Sequence, residues 1–241
     1  MPIAQPPWHV AVLIPARNEE LLIQRCLNSV LAACSRLPTS ISTDVVVACD
    51  SSTDLTLEIA KRILADWGTV VATDVAIVGS ARRLAARVAL QRYAGSLTRC
   101  WLANTDADCC VPSTWLVDQI AIADQGIDAI AGVISVDSFE EHSGGSDIRF
   151  RNSYLIHSDG SHPHVHGANM GVRADAYRRS GGWRGLETAE DHDLWNRLVR
   201  TACRQHATAR VSVITSGRRL AAPRMGSQRL WLFTMRLLHA N

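Results

Sequence analysis

An open, doubly wound α/β sheet is the fold class this sequence predicts, and three features predict it. Short apolar runs recur, a stretch of helical periodicity follows each one, and turn-forming residues stand where run and helix meet. Strand and helix alternate four times in this way before residue 126, the rhythm of a mostly parallel sheet covered by helices on both faces. Such sheets bind ligands beyond the carboxyl ends of their strands, so the residues that follow each strand are where chemistry is expected.

Val10-Ala11-Val12-Leu13-Ile14 is apolar throughout and stops at Pro15, as a strand buried on both faces does. Ile23, Leu27, Val30, Leu31 and Cys34 then fall on one helical stripe. Asn18 is expected as its N-cap, with Glu19 and Glu20 in the first turn, where the helix dipole favours acids. A second unit has the strand Val45-Val46-Val47-Ala48, the turn Ser51-Ser52-Thr53 and a helix expected to turn Leu55, Ile59, Ile63 and Trp67 inward. The third runs through Val70-Val71 to a helix from Arg82 to Tyr93, and the fourth through Trp101-Leu102 to a helix beginning near Pro112. After a fifth strand, Ala129 to Val136, the rhythm breaks. Residues 137 to 165 are rich in Ser, Gly, His and Asp, and Glu140-Glu141-His142-Ser143-Gly144-Gly145 looks like a mobile loop. A helix from Glu190 to Thr201, a strand Val211-Ser212-Val213-Ile214 and a C-terminal segment follow.

A chain of 241 residues can bury a substantial core as one large domain. Its net charge of +2, without a basic stripe interleaved with aromatics, argues against a nucleic-acid partner. Lys61 is the only lysine, so the arginine bias is general and reflects coding composition rather than function. The seven cysteines are odd in number and lack Cys-x-x-Cys spacing, which suits buried thiols in a reducing compartment. Met1 to His9 lacks the pattern of a signal peptide, and no run of about 18 apolar residues occurs. The expected location is the cytoplasm, with peripheral membrane contact left open for the tail.

Ala103-Asn104-Thr105-Asp106-Ala107-Asp108 places two carboxylates at i and i+2 directly after an apolar run. On an extended backbone they share a face, and two hard oxygen ligands suit Mn²⁺ or Mg²⁺ carrying a diphosphate. Val78-Gly79-Ser80-Ala81-Arg82-Arg83 sets an arginine pair at a helix start, suited to phosphate or ribose. Glu190 and Asp191 head a helix whose inward stripe is Leu194, Trp195, Leu198 and Ala202, so both look into the cleft while Asp193 turns towards Arg197. His162, His164 and His166 alternate as a zinc-binding strand would, although Pro163 interrupts it. Cys109 and Cys110 are adjacent, cannot ligate one ion with good geometry, and are expected to pack.

Taken in order, Pro15-Ala16-Arg17-Asn18-Glu19, Cys49-Asp50-Ser51-Ser52-Thr53-Asp54, Asp106-Ala107-Asp108 and Glu190-Asp191 resemble the motifs of the family 2 glycosyltransferases, nucleotide-sugar-dependent enzymes of the GT-A fold. The resemblance covers roughly residues 8 to 216. It implies a GT-A-like, Rossmann-type, mostly parallel sheet flanked by helices. Within a single domain, residues 1–126 would form the nucleotide-sugar-binding half, 127–216 the acceptor and catalytic half, and 217–241 a C-terminal tail. By matching position, Pro15, Ala16, Arg17 and Glu19 face the nucleotide and Asp50 contacts the base, although Asp50 and Ser52 serve equally well as caps of the next helix. Arg82, with Arg83 in reserve, is assigned to phosphate or ribose. Asp108 becomes the direct ligand of Mn²⁺ or Mg²⁺, and Asp106 reaches the ribose or a metal-bound water. The general base is assigned to Asp191 with Glu190 in support. His166-Gly167-Ala168-Asn169-Met170-Gly171 and Gly181-Gly182-Trp183 match acceptor-side segments, Trp183 offering a flat face to sugar or lipid or simply packing.

The implied activity is inverting, metal-dependent transfer of a sugar, expected to be a hexose, from a nucleoside-diphosphate sugar to an acceptor hydroxyl. Cys49 and Ser51 depart from the family's usual aspartate and glycine, which leaves the base preference open. Gln228-Arg229-Leu230-Trp231 is mis-spaced for the processive synthases, so single transfers are expected. A sugar-1-phosphate nucleotidyltransferase and a non-catalytic sugar-nucleotide-binding protein are the alternatives. From Arg218 onward, Arg219, Arg224, Arg229 and Arg236 alternate with Leu230, Trp231, Phe233, Met235 and Leu237. Three placements suit this tail: on an anionic membrane, between the subunits of a homodimer, or over the cleft with Arg218 or Arg219 near the diphosphate.

Overall fold

The computed structural model describes residues 6–142 and 144–218 of the chain. Among them, seven strands form one sheet: β1 (His9–Ala16), β2 (Ser42–Asp50), β3 (Gly68–Thr73), β4 (Cys100–Asn104), β5 (Ala129–Val136), β6 (Met170–Arg173) and β7 (Gln205–Thr215). Their order is β3-β2-β1-β4-β6-β5-β7. All run one way except β6, which enters antiparallel between β4 and β5. The helices are α1 (Ile23–Ser35), α2 (Thr56–Leu64), α3 (Val78–Arg92), α4 (Trp115–Ala123), α5 (Ser146–Ser153), α6 (Ala174–Arg179) and α7 (Glu190–Arg200).

Alternation along the strands sorts the core into two layers. Val10, Val12, Ile14, Val45, Val47, Trp101 and Ala103 face α1, α2 and α4. Ala11, Leu13, Val46, Ala48, Cys100 and Leu102 face α3, α6 and α7. Every residue of β1 is buried, as the centre of a sheet covered twice requires. The chain moves outward from β1 to β3 and then returns to lay β4 on the other flank of β1. That reversal opens a crevice beyond the carboxyl ends of β1 and β4, where Arg17 and Asp106 stand.

The structure departs from the sequence-based expectations at several elements. Asn18 does not cap α1, which begins at Ile23 with no acid in its first turn. Instead the Asn18 side chain accepts the N–H of Thr53 at 2.8 Å. Leu55 and Trp67 are not inward: they lie just outside α2 and are 59% and 69% exposed, while Thr56, Ala60 and Leu64 form the buried stripe. Helix α3 starts one turn before Arg82, because Asp50 accepts the N–H groups of Ala76 and Ile77 and so sets its head. Residues 137–165 contain a helix, α5, whose polar composition conceals it. Asp106 and Asp108 are not on extended backbone. They sit in a turn past β4, closed by the Cys109 N–H on the Asp106 carbonyl at 3.0 Å.

All seven cysteines are free thiols, and Cys26, Cys49, Cys100 and Cys109 are buried. No helix among the described residues is long and apolar enough to cross a membrane. The tail residues Arg219 to Leu237, with the placements considered for them, lie outside the described residues.

Candidate active site

The loops after β1 and β2 are stitched together reciprocally. The N–H groups of Asn18, Glu19 and Glu20 donate to Ser52 Oγ (3.2 Å), Thr56 Oγ1 (2.7 Å) and Asp54 Oδ2 (3.1 Å), and Leu55 N–H returns to Glu20 Oε2 (3.1 Å). Asn18 and Ser51 take positive φ angles of 51° and 52° to make these turns. Pro15 and Ala16 are the last residues of β1, paired in register with Ala48 and Cys49, so they fix where Arg17 emerges half-buried. Glu19 forms an ion pair with Arg218, which brings the start of the C-terminal segment onto this loop.

Asp50 ends β2 and is fully buried. Its Oδ1 accepts Ala76 N–H at 2.9 Å and Ser51 Oγ–H at 3.1 Å, and its Oδ2 accepts Ile77 N–H at 3.1 Å. The carboxylate assigned to the base therefore clasps the backbone just before α3 rather than capping the helix that follows β2.

The turn after β4 is pinned on two sides. Cys26 of α1 donates its thiol to the Asp106 carbonyl (3.3 Å), and Arg25 Nη2 donates to the Asp108 carbonyl (3.0 Å). Across the turn, Cys110 forms an antiparallel bridge with Ile214 of β7. The Asp108 side chain is buried, with Thr215 Oγ1 at 3.4 Å and the Cys109 thiol at 3.6 Å from Oδ1. Burial, reinforced by Asp108 and Asp106, drives the Cys109 thiol well above its usual range, so it stays protonated and packs.

Arg82 joins this turn to the later helix. Only 2% exposed, it donates through Nη2 to Asp106 Oδ1 at 2.5 Å and places Nε 3.4 Å from Glu190 Oε1. Its Nη1 donates to the Gly167 carbonyl at 3.0 Å, and its guanidinium lies over the Trp183 ring, 5.3 Å from the centroid. Burial opposes the Arg82 charge, but Asp106, Glu190 and Asp191 outweigh it and strengthen its hold on the proton. A Cβ at Gly167 would stand 2.6 Å from Arg82 Nη2, so any larger residue there would have to move the guanidinium. The Gly167 N–H donates to Asp191 Oδ2 at 3.0 Å, while Asp191 Oδ1 accepts His192 N–H at 2.7 Å. Burial, opposed by Arg82 and reinforced by Asp191, pushes the Glu190 carboxyl up to about 7. Asp193 does turn away, to Arg197 at 2.7 Å.

Thus Arg82, Asp106, Glu190, Asp191 and Gly167 converge, and Arg83, exposed, does not join them. Asn169 and Trp183 are scaffold rather than open faces. Asn169 is 1% exposed, accepting from Trp115 Nε1 at 2.9 Å and donating to the carbonyls of Val133 (2.8 Å) and Val211 (3.1 Å). Trp183 is 1% exposed with its ring beneath Arg82, and Ala168 packs in the α4-side core. His166 is buried and pairs with Tyr154. Among the described residues, no three His, Cys, Asp or Glu side chains converge on a metal position, His162, His164 and His166 included. Thr215, Tyr154, Arg25 and the backbone of Gly167 escaped the sequence argument; each acts through a partner far along the chain.

The sequence matches Glycosyl transferase family 2 over residues 11–181, a span that contains Arg82, Asp106 and Asp108 and stops before Glu190. The fold is similar to that of TarS residues 1–349 from S. aureus in complex with UDP-GlcNAc, with a TM-score of 0.65 at 19% identity. That alignment covers 95% of this chain and 65% of TarS 1–349, so the chain spans less than two thirds of that relative. It is also similar to the mannosyltransferase PcManGT from Pyrobaculum calidifontis in complex with GDP-Man and Mn²⁺, with a TM-score of 0.61 at 19% identity, covering 96% of this chain and 61% of the other. At such identity these likenesses establish the GT-A fold alone. Among curated proteins, none matches the sequence.

Proposed function

The chain belongs to glycosyl transferase family 2, and from that premise we propose that it transfers a sugar from a nucleoside-diphosphate sugar to an acceptor hydroxyl, one transfer per encounter and with inversion. One observation carries the proposal: Arg82 connects Asp106, in the donor half, to Glu190 and, through Gly167, to Asp191 at the head of α7. Donor-holding and acceptor-activating groups thereby share one centre.

The donor set suits a divalent cation. Two carboxylates from one turn match an ion that takes its other ligands from substrate phosphate and water. Asp108 would hold Mn²⁺ or Mg²⁺ directly, with Asp106 beside it under the grip of Arg82. When bound, the ion supplies Lewis acidity for charge on the departing diphosphate.

Asp191 acts as general base. Two backbone N–H groups fix its carboxylate, one on each oxygen, and each oxygen keeps a lone pair for an acceptor hydroxyl. Deprotonated by Asp191, that hydroxyl displaces the diphosphate in a single step, which inverts the anomeric centre. Glu190 supports the site through Arg82. Pro15, Ala16, Arg17 and Glu19 frame the nucleotide, and Asp50 contributes by setting the backbone at Ala76 and Ile77.

Titration of the protein with UDP-GlcNAc and GDP-Man, with and without Mn²⁺, followed by an assay for released nucleoside diphosphate, tests this function. Mn²⁺-dependent binding with slow release to water supports transfer. Binding without release under any acceptor condition would indicate a non-catalytic binder.

A further inference from the structure

Tyr154 lies just past α5, and its ring stacks on His164, with centroids 4.0 Å apart and planes 10° from parallel. Its hydroxyl oxygen accepts the Ile134 N–H of β5 at 3.0 Å and stands 2.9 Å from Nε2 of His166. His166 is 6% exposed, and its Nδ1 has no hydrogen-bond partner.

Two proton arrangements satisfy the contact between phenol and imidazole. If Nε2 carries the proton, the phenol oxygen accepts twice and its own proton, together with the Nδ1 lone pair, goes unmatched. If the phenol donates to Nε2, only the Nδ1–H goes unmatched. The second leaves fewer buried groups unmet and is preferred. Burial, with His164, His192 and His162 adding to it, lowers the His166 pKa to about 3, so the ring is neutral. Burial also raises the Tyr154 phenol above its usual range, despite the opposing Ile134 N–H, so it keeps the proton it donates. An apolar ring in place of His166 would spare the unmatched Nδ1–H but would leave the Tyr154 hydroxyl proton without its acceptor. The histidine therefore serves through Nε2.

The next residue is Gly167, which gives its N–H to Asp191 and its carbonyl to Arg82. We propose that Tyr154 and His166 are positioning residues for Asp191: hydrogen bonds running from the Ile134 N–H through the Tyr154 hydroxyl to Nε2 fix His166 as its Nδ1–H tautomer and hold the peptide that presents Gly167 to Asp191. This rests on Asp191 being the base.

Long-range ¹H–¹⁵N spectra of the full chain and of Tyr154→Phe, amide exchange at Gly167, and hydrolysis of UDP-GlcNAc or GDP-Man in Mn²⁺ provide the test. The wild-type spectrum should show His166 protonated at Nδ1. In Tyr154→Phe that preference is lost, Gly167 exchange quickens about tenfold, and kcat falls about tenfold with KM within about twofold. His166→Gln, whose amide oxygen can accept from the phenol, should recover most of kcat where His166→Phe does not. An Nε2–H tautomer in the wild type, or unchanged Gly167 exchange in Tyr154→Phe, overturns the proposal. Should neither donor be hydrolysed, the donor choice fails rather than the relay, which tautomer and exchange still decide, the tautomer even if Tyr154→Phe does not fold.

Discussion

Arg82 and Asp191 hold the same residue from opposite sides: Gly167 gives its carbonyl to Arg82 Nη1 at 3.0 Å and its N–H to Asp191 Oδ2 at 3.0 Å. A group on the helix after β3 and a group on α7 are thereby set at a fixed spacing by one glycine. Close approach leaves no room for a Cβ there unless Arg82 shifts.

Gly167→Ala should therefore disturb both. The added Cβ would fall 2.6 Å from Arg82 Nη2 and force the guanidinium off Asp106 or the backbone off Asp191. A loss of about 1–3 kcal/mol in urea unfolding is expected, with lower turnover at unchanged fold by circular dichroism. Wild-type stability and turnover would show that the site has slack at this point.

Asp50→Ala separates a clasp from a ligand. Two partly buried backbone donors, at Ala76 and Ile77, lose their acceptor, at a combined cost of about 1–3 kcal/mol. The midpoint of chemical unfolding should fall accordingly. A variant that stays fully stable and only loses nucleotide affinity would instead give Asp50 to the base.

Glu190→Gln gives a pH-dependent change of stability. Burial raises the Glu190 carboxyl from 4.5 to about 7 in the folded state. Between those values the folded protein binds more protons than the unfolded chain, so wild-type stability falls as pH rises through the window and levels off above it. The stability of Glu190→Gln relative to wild type should thus increase from pH 4.5 to pH 7, by up to about 3 kcal/mol, in thermal melts at stepped pH. A difference independent of pH would mean that folding leaves the Glu190 pKa near its ordinary value.

Asp108→Ala should abolish the Mn²⁺-dependent part of donor binding, a loss of at least about tenfold in titrations with UDP-GlcNAc or GDP-Man. Unchanged metal dependence would remove Asp108 from the ion.

Much of the sheet is legible in the sequence because its strands carry runs that are largely apolar: Val10 to Ile14, Val45 to Ala48 and Ala129 to Val136 announce themselves locally. Helices α5 and α6 and the short strand β6 do not, since Ser146–Ser153 is mostly polar and Met170–Arg173 is strand only through its neighbours β4 and β5. The candidate site divides the same way. Arg82, Asp106, Glu190 and Asp191 are visible as charged residues at element starts and ends, and the structure gathers them. Which of their partners they hold is set by contacts across 24 to 85 residues, such as Arg82 with Asp106 and with Gly167, and local pattern carries no record of these. Trp183 shows the limit most clearly: its place after two glycines suits an open face and core packing equally, and only the structure, with Arg82 over the ring, decides for packing.

The most direct test of the reaction centre is a comparison of wild type and Asp191→Asn by donor titration and by release of nucleoside diphosphate. Asparagine keeps the shape and can accept the Gly167 N–H, giving up the His192 N–H, but cannot take a proton. Donor affinity in Mn²⁺ should be unchanged while release falls by about 10²–10⁴. Full release by Asp191→Asn would contradict the account.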